Sequence, residues 1–300
     1  MRPKAVITGA TGYIGSHVVR YLLDHGWRIA TIIREPSHLG YLEDLEHEIE
    51  TFSYEGNILS LIDFFQCQKA DVVMHLAAAV ITNPSPEQAS TIIDANVRFG
   101  TEILEAMAQS ATRLFISTGS YWQNYDGKNE YNPVDLYSAS KEAFEKIVKF
   151  YVEAYGFRHI NLRLFDVYGE DDRRPKLWNT LKEIAGTDKL LDISAGEQLL
   201  DMVHVDDVAR AYECAYEYLL ENHDSRNEVF GVYSGNLRPL KEIVHLYERI
   251  LNKKLKLNWG ARPYKNREVM KPFDGYAKLP NWRQNIPVET GLTKFNNWGG

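Results

Sequence analysis

The chain has 300 residues, of which 44% are hydrophobic and 25% charged, with a formal net charge of −7. That length holds one large domain or two smaller ones, and that composition supplies a sizeable core and excludes wholesale disorder. The negative balance, without a long basic run, disfavours nucleic acid as the main partner and leaves room only for a local basic pocket.

The start, Met1-Arg2-Pro3-Lys4, leads into an apolar run too short for a signal peptide. The most apolar stretch, 72–81, reaches only about half a membrane span and contains His75. No membrane partner is expected, and a cytoplasmic location follows. Cys67 and Cys214 lie far apart without metal-like spacing, each in a helical pattern, so both are expected to be buried apolar residues. With no disulfide framework, the chain fits a reducing compartment.

Short apolar runs at 4–8, 28–33, 71–76, 113–117 and 158–164 read as strands covered on both faces. Amphipathic patterns at 13–25, 87–109 and 136–155 read as the helices between them. This alternation predicts a doubly wound parallel α/β sheet. Beyond the polar loop Gly169-Glu170-Asp171-Asp172-Arg173-Arg174-Pro175 the pattern loosens. A helix at 205–220 and a strand near 228–232 are expected to return to the sheet, and the Trp-, Pro- and Gly-rich tail to line a site before a short last helix.

Ile7-Thr8-Gly9-Ala10-Thr11-Gly12-Tyr13-Ile14-Gly15 joins the first strand to the first helix. Glycines there allow a tight turn and close approach of a pyrophosphate, which the helix N-terminus then faces with free N–H groups. Gly9, Thr11, Gly12, Tyr13, Ile14 and Gly15 are therefore candidate dinucleotide contacts. The second strand ends Ile32-Ile33-Arg34-Glu35-Pro36, with Arg34 where an acid would bind the ribose of NAD. Arg34 matches the extra phosphate of NADP, so NADP(H) is favoured. NAD(H) stays open, with Glu35 as the ribose contact.

Tyr137 and Lys141 are four apart and share one face of a predicted helix. A phenol ionises near pH 10, and a nearby ammonium stabilises its phenolate, bringing it into range for proton transfer. Thr118, just past the strand 113–117, is placed to hydrogen-bond the reacting oxygen with Tyr137. Tyr-x-x-x-Lys alone arises by chance on many helices; the glycine turn upstream gives it meaning.

Together these residues resemble the extended short-chain dehydrogenase/reductase family, the nucleotide-sugar epimerase, dehydratase and reductase group. Further matches are Gly56-Asn57-Ile58 beside the adenine, where Asn57 replaces an Asp, and His75-Leu76-Ala77-Ala78 along the cofactor. Asn96 matches a helix asparagine that orders the active site. Segments 162–169 and 203–208 match as well. The resemblance implies a Rossmann domain over 1–167, joined by 203–233, and a smaller C-terminal α/β substrate domain over 168–202 and 234–300. It also implies a homodimer through a four-helix bundle. Tyr137, Lys141, Thr118 and Asn96 become the catalytic set, with Asn57, Ile58, Leu76, Ala77 and Ala78 at the cofactor. Val80, Gly119, Ser120, Trp122 and Asp166 fall to the substrate.

Two departures narrow the activity. Dehydratases of the group carry Asp-Glu after the catalytic Thr, and Gly119-Ser120 stands there instead, which argues against sugar 4,6-dehydration. Leu200 takes the place of an arginine for the substrate diphosphate, leaving Arg173, Arg174, Arg262 and Arg267 as candidates. The stretch Tyr121-Trp122-Gln123-Asn124-Tyr125, with 131–137, is similar to bacterial reductases of nucleotide-linked 4-keto-6-deoxy sugars, first those acting on CDP sugars (abequose and paratose synthases). Trp122 and Tyr125 are read either as a sugar platform or as ordinary packing. The resulting expectation is NADPH-dependent reduction of a CDP- or dTDP-linked keto sugar. Its rivals are a 4-epimerase holding NAD, a reductase of small aromatic ketones and a non-catalytic cofactor sensor.

Overall fold

The computed structural model describes residues 2–34, 39–187 and 189–298. Strands β1 (Lys4–Thr8), β2 (Arg28–Arg34), β3 (Glu50–Tyr54), β4 (Val72–His75), β5 (Leu114–Ser120), β6 (Arg158–Leu164) and β7 (Asn227–Val232) form a seven-stranded sheet ordered β7-β6-β5-β4-β1-β2-β3. All six neighbouring pairs run parallel. Chain order reverses between β1 and β4, and parallel sheets bind ligands off the carboxyl ends at such a point.

Alternation along β1 splits the core. Ala5 and Ile7 pack with Val18 and Leu22 of α1 (Tyr13–Asp24) and with Val208 and Tyr212 of a later helix. Val6 faces the other way, toward Phe65 of α2 (Ile58–Gln68), and Phe115 and Val148 join it there. Fully burying a side chain of this size is worth about 1.5–3 kcal/mol. Both faces are covered, as the continuous apolar strands predict. β7 does return to the sheet, paired with β6 from Asn227↔His159 to Val232↔Leu164.

The helix expected over 87–109 is interrupted. It consists of α3 (Pro86–Ile93), a π-helical turn (Asp94–Arg98) and α4 (Phe99–Ala108). β5 runs past 117 to Ser120, because Thr118, Gly119 and Ser120 pair with Leu162, Arg163 and Leu164. Neither β3 nor α2 stands out as an element in the sequence. Cys214 is buried, but Cys67 is exposed on α2. The expectation of burial fails there because Cys67 follows Phe64 and Phe65, which take the inward face.

A third apolar cluster gathers Tyr168, Met202, α6 (Leu177–Ala185), α8 (Leu240–Leu251) and α9 (Val288–Asn297), with Leu181, Val244, Tyr247 and Leu292 at its centre. Helix α5 (Leu136–Tyr155) packs in the second cluster and α7 (Val205–Glu221) in the first, and both carry residues of the site. Among the described residues, no helix is long and apolar enough to cross a membrane.

Candidate active site

The glycine turn is built for close approach. Gly9 has φ +72°, and a Cβ there would sit 2.5 Å from the Ala77 nitrogen. A Cβ on Gly15 would strike the Gly9 carbonyl, so α1 starts pressed against the turn. Gly12 caps α1 without a side-chain hydrogen bond, which leaves the first-turn N–H groups available to an anion. The cradle fits the diphosphate of a dinucleotide. Arg34 is exposed at the end of β2, on the same carboxyl edge. Glu35 lies outside the described residues. Asn57 caps α2, its Oδ1 accepting from Leu59 N at 3.0 Å.

Helix α5 starts at a capping box in which Asp135 Oδ1 accepts from Ser138 N at 2.9 Å. The first turn then delivers Tyr137 and, one turn on, Lys141, both buried. Lys141 Nζ lies 5.9 Å from the centre of the Tyr137 ring. Burial brings the Lys141 ammonium down to about 8, with Glu145 acting against this shift. Burial also pushes the Tyr137 phenol up, helped by Asp135 and opposed by Arg163 and Arg174. The expected lowering of the phenol is therefore not seen in the protein alone, where loss of water outweighs the nearby cations.

The π turn points Asn96 inward. Its Oδ1 accepts from Ala79 N at 2.7 Å, and its Nδ2 donates to Ala79 O at 3.2 Å and to Ser140 Oγ at 2.9 Å. Ser140 Oγ in turn donates to the Tyr137 carbonyl at 2.7 Å. Asn96 thus ties the stretch after β4 to the helix that carries Tyr137.

Thr118 is held from behind. Its Oγ1 donates to the His75 carbonyl at 3.0 Å and lies 2.6 Å from the hydroxyl of Tyr212 on α7. Next to it, a side chain at Gly119 would collide with Asn161 and Arg163. An acid of the dehydratase kind at that position would have to displace both side chains. Arg163 is buried and bonded to Glu145 (2.8 Å from Nη2 to Oε2) and to Gln123, with Glu142 at 3.7 Å. This network locks β6, α5 and the turn Tyr121–Gln123 behind the site. An arginine within an apolar strand was the one sequence signal for it.

In front of these residues lies a cavity of about 600 Å³. Ile14, Leu76, Ala78, Val80, Thr118, Gly119, Ser120, Trp122, Tyr137, Lys141 and Asp166 all line it. Trp122 meets the Tyr137 ring edge-on, with centroids 6.5 Å apart. Tyr125 is instead packing: the Arg267 guanidinium covers its ring at 4.3 Å. Asp166 Oδ1 accepts from Tyr121 OH at 3.2 Å, whereas the buried Oδ2 has no hydrogen-bond partner. Burial raises that carboxyl to about 7 despite Lys176.

The candidate arginines separate. Arg173 is exposed, paired with Asp171 at 2.8 Å and set over Tyr41; it does not line the cavity, and neither does exposed Arg262. Arg174 does, but its guanidinium is engaged by Asp172 at 2.6 Å and lies over Tyr13. Arg267 lines it too, donating to Pro133 O at 2.7 Å and to Asn132. Lys176 and Lys265, which the sequence did not single out, line the same cavity, and among the described residues neither ammonium has a hydrogen-bond partner; burial, with Arg174 and Lys265 nearby, disfavours the charge on Lys176. Leu200 lines the cavity as an apolar neighbour.

A family model for the NAD dependent epimerase/dehydratase family matches residues 5–255. The chain belongs to that family. A CDP-abequose synthase of Yersinia pseudotuberculosis is 30% identical over 92% of this chain and 94% of its own, and one of Salmonella muenchen is 27% identical over 97% and 96%. The fold matches a UDP-glucose 4-epimerase of Thermotoga maritima, solved with UDP-glucose, at TM-score 0.84 and 23% identity, covering 98% of each chain. As a member of the epimerase/dehydratase family the protein is an NAD(P)-dependent oxidoreductase of the extended short-chain dehydrogenase/reductase type. Ile14, which follows the glycine turn, lines one cavity with Tyr137 and Lys141 beyond the carboxyl ends of β4 and β5, where parallel sheets of this kind bind ligands.

Proposed function

We propose that the protein reduces the keto group of a nucleotide-diphosphate-linked 4-keto-6-deoxy sugar, CDP- or dTDP-linked, with NADPH. One observation carries the reading: Tyr137, Lys141 and Thr118 line the same cavity as Lys176 and Lys265, two ammonium groups placed for a diphosphate. The similarity to two CDP-abequose synthases along nearly the whole chain supports it. Arg34 supports NADPH over NADH.

NADPH held at the glycine turn and by Arg34 would supply hydride to the carbonyl carbon. As the carbonyl electron pair moves onto oxygen, Tyr137 transfers its phenolic proton there, and Lys141 stabilises the phenolate left behind. Burial holds Tyr137 protonated, which suits a donor better than a base. Thr118 orients the oxygen, and Asn96 positions the helix turn beneath Tyr137 through Ser140. The unpartnered Asp166 Oδ2 accepts from a sugar hydroxyl. The part built on 168–202 and 234–300 is read as the substrate side, and a cytoplasmic setting fits two free cysteines. We also propose a homodimer through a four-helix bundle to which each copy contributes α5.

The test is NADPH oxidation across CDP-, dTDP-, GDP- and UDP-linked 4-keto-6-deoxy sugars. Turnover of a CDP or dTDP member, lost at least about 100-fold in Tyr137→Phe with NADPH affinity kept, is the expected result. The second reading is a 4-epimerase, favoured by the fold match to UDP-glucose 4-epimerase. Protein that interconverts UDP-sugars without added cofactor, and oxidises no NADPH on the panel, would replace the first reading with this one.

A further inference from the structure

We propose that Tyr212 is a positioning residue of the active site, donating to Thr118 from behind and so reserving the Thr118 proton for the reacting oxygen. The inference rests on the reading that Tyr137 and Thr118 face that oxygen.

A proton count leads to it. Thr118 has one hydroxyl proton, and the His75 carbonyl at 3.0 Å accepts only, so Thr118 donates there. The Tyr212 hydroxyl, 2.6 Å away on the other side, must then be the donor to Thr118 Oγ1. Tyr212 is fully buried, and Thr118 is the hydrogen-bond partner of its hydroxyl. Burial drives the Tyr212 phenol far up, so it stays protonated wherever the enzyme works. The direction of donation is therefore fixed from α7 through Thr118 toward β4.

When negative charge grows on an oxygen in the cavity, Thr118 can swing its proton from the His75 carbonyl to that oxygen. Tyr212 continues to donate behind it, and linked hydroxyls strengthen one another. Replacing Tyr212 by Phe leaves Thr118 in place but removes that support. The same proton serves the Tyr137 oxygen when it ionises, and the Tyr137 hydroxyl is close enough to disfavour ionisation of Tyr212. Charged groups acting on Tyr137 are Asp135, Arg163 and Arg174, with Lys141 over its ring, and none of them is on α7. An effect of Tyr212 on Tyr137 that disappears once the Thr118 hydroxyl is removed therefore passes through that hydroxyl.

The experiment follows Tyr137 ionisation by carbon NMR of the intact protein labelled at tyrosine Cζ, with NADP⁺ added. Tyr212→Phe is expected to raise the Tyr137 midpoint by about half a unit, the scale of one net hydrogen bond. Thr118→Ala should raise it similarly, with no further rise in the double variant, and Thr118→Ser should restore the Tyr212 effect. An unchanged midpoint in Tyr212→Phe, or an equal rise in the Thr118→Ala background, overturns the proposal. On any panel sugar turned over, Tyr212→Phe should cut kcat about fivefold or more with KM within twofold; wild-type kcat would overturn the proposal as well. The NMR cycle needs no sugar. An inactive panel with a coupled cycle sinks only the substrate reading, and an active panel with an additive cycle sinks only the role of Tyr212.

Discussion

Asp166 illustrates how one side chain ties stability to function. Its carboxyl is raised from 3.8 to about 7, chiefly by burial, with Asp201 and Glu268 adding to the rise. A carboxyl raised in the folded state contributes stability that is fully present below the unfolded value. That stability is lost as pH climbs through about 7, because ionisation then has to occur out of water. Asp166→Asn keeps the shape and the hydrogen bond from Tyr121 without the charge. The variant should gain on the wild type as pH rises from 5 to 8, by roughly 2 kcal/mol at the upper end. Melting temperatures of the two proteins over that range are the check. A difference that stays constant with pH would show that Asp166 does not titrate between the two limits.

At the scale of elements, the π turn between α3 and α4 matters more than its length suggests. One extra residue in the turn rotates Asn96 into the protein, where it spends three hydrogen bonds on Ala79 and Ser140. Asn96→Ala leaves the half-buried Ala79 backbone groups without these partners, at a cost of roughly 1–2 kcal/mol. It also frees the stretch from Leu76 to Ala79 that borders the cavity. Urea unfolding should show the loss, and NADPH titration should show weaker binding; unaltered values in both would reduce Asn96 to a bystander.

This turn also marks the limit of what could be read beforehand. Periodicity shows a helix over 87–109, but a single inserted residue hardly disturbs an amphipathic pattern. The glycine turn and the Tyr137/Lys141 pair were legible because each is a contiguous pattern whose spacing alone places the side chains. β3 was not legible: Glu50-Thr51-Phe52-Ser53-Tyr54 lies at the sheet edge and is largely exposed, so it lacks an apolar run. Tyr212 behind Thr118, and Arg163 against Glu145, join residues 94 and 18 positions apart. Such pairings come from the sheet order, and no local signal announces them. Lys176 was passed over for arginines in the same loop, although burial and the ion pairs decide which cation faces the cavity.

Across the whole molecule, charge and apolar surface are both unevenly spread. A chain of net charge −7 lines one cavity with Lys141, Arg174, Lys176, Lys265 and Arg267 against Asp135, Asp166 and Glu268, a local excess of cations suited to a doubly charged anion. The outer face of α5 has the opposite character. Ala143, Phe150 and Ala154 are exposed along it, with Ile147 half-buried, and Ile93 of neighbouring α3 is 42% exposed. Phe150 is 56% exposed, and a phenylalanine left in water forfeits up to about 3 kcal/mol that burial would return. Residues at this spacing form one stripe, and two such stripes packed antiparallel make a four-helix bundle in which each copy covers the other. Sedimentation velocity should therefore find a dimer at micromolar concentration. Phe150→Glu would place two like charges near the pairing axis and should yield a monomer with an unchanged circular dichroism spectrum. A wild-type protein that sediments as a monomer, or a Phe150→Glu variant that remains dimeric, would rule this face out as the interface and leave its exposed aromatic ring without a role.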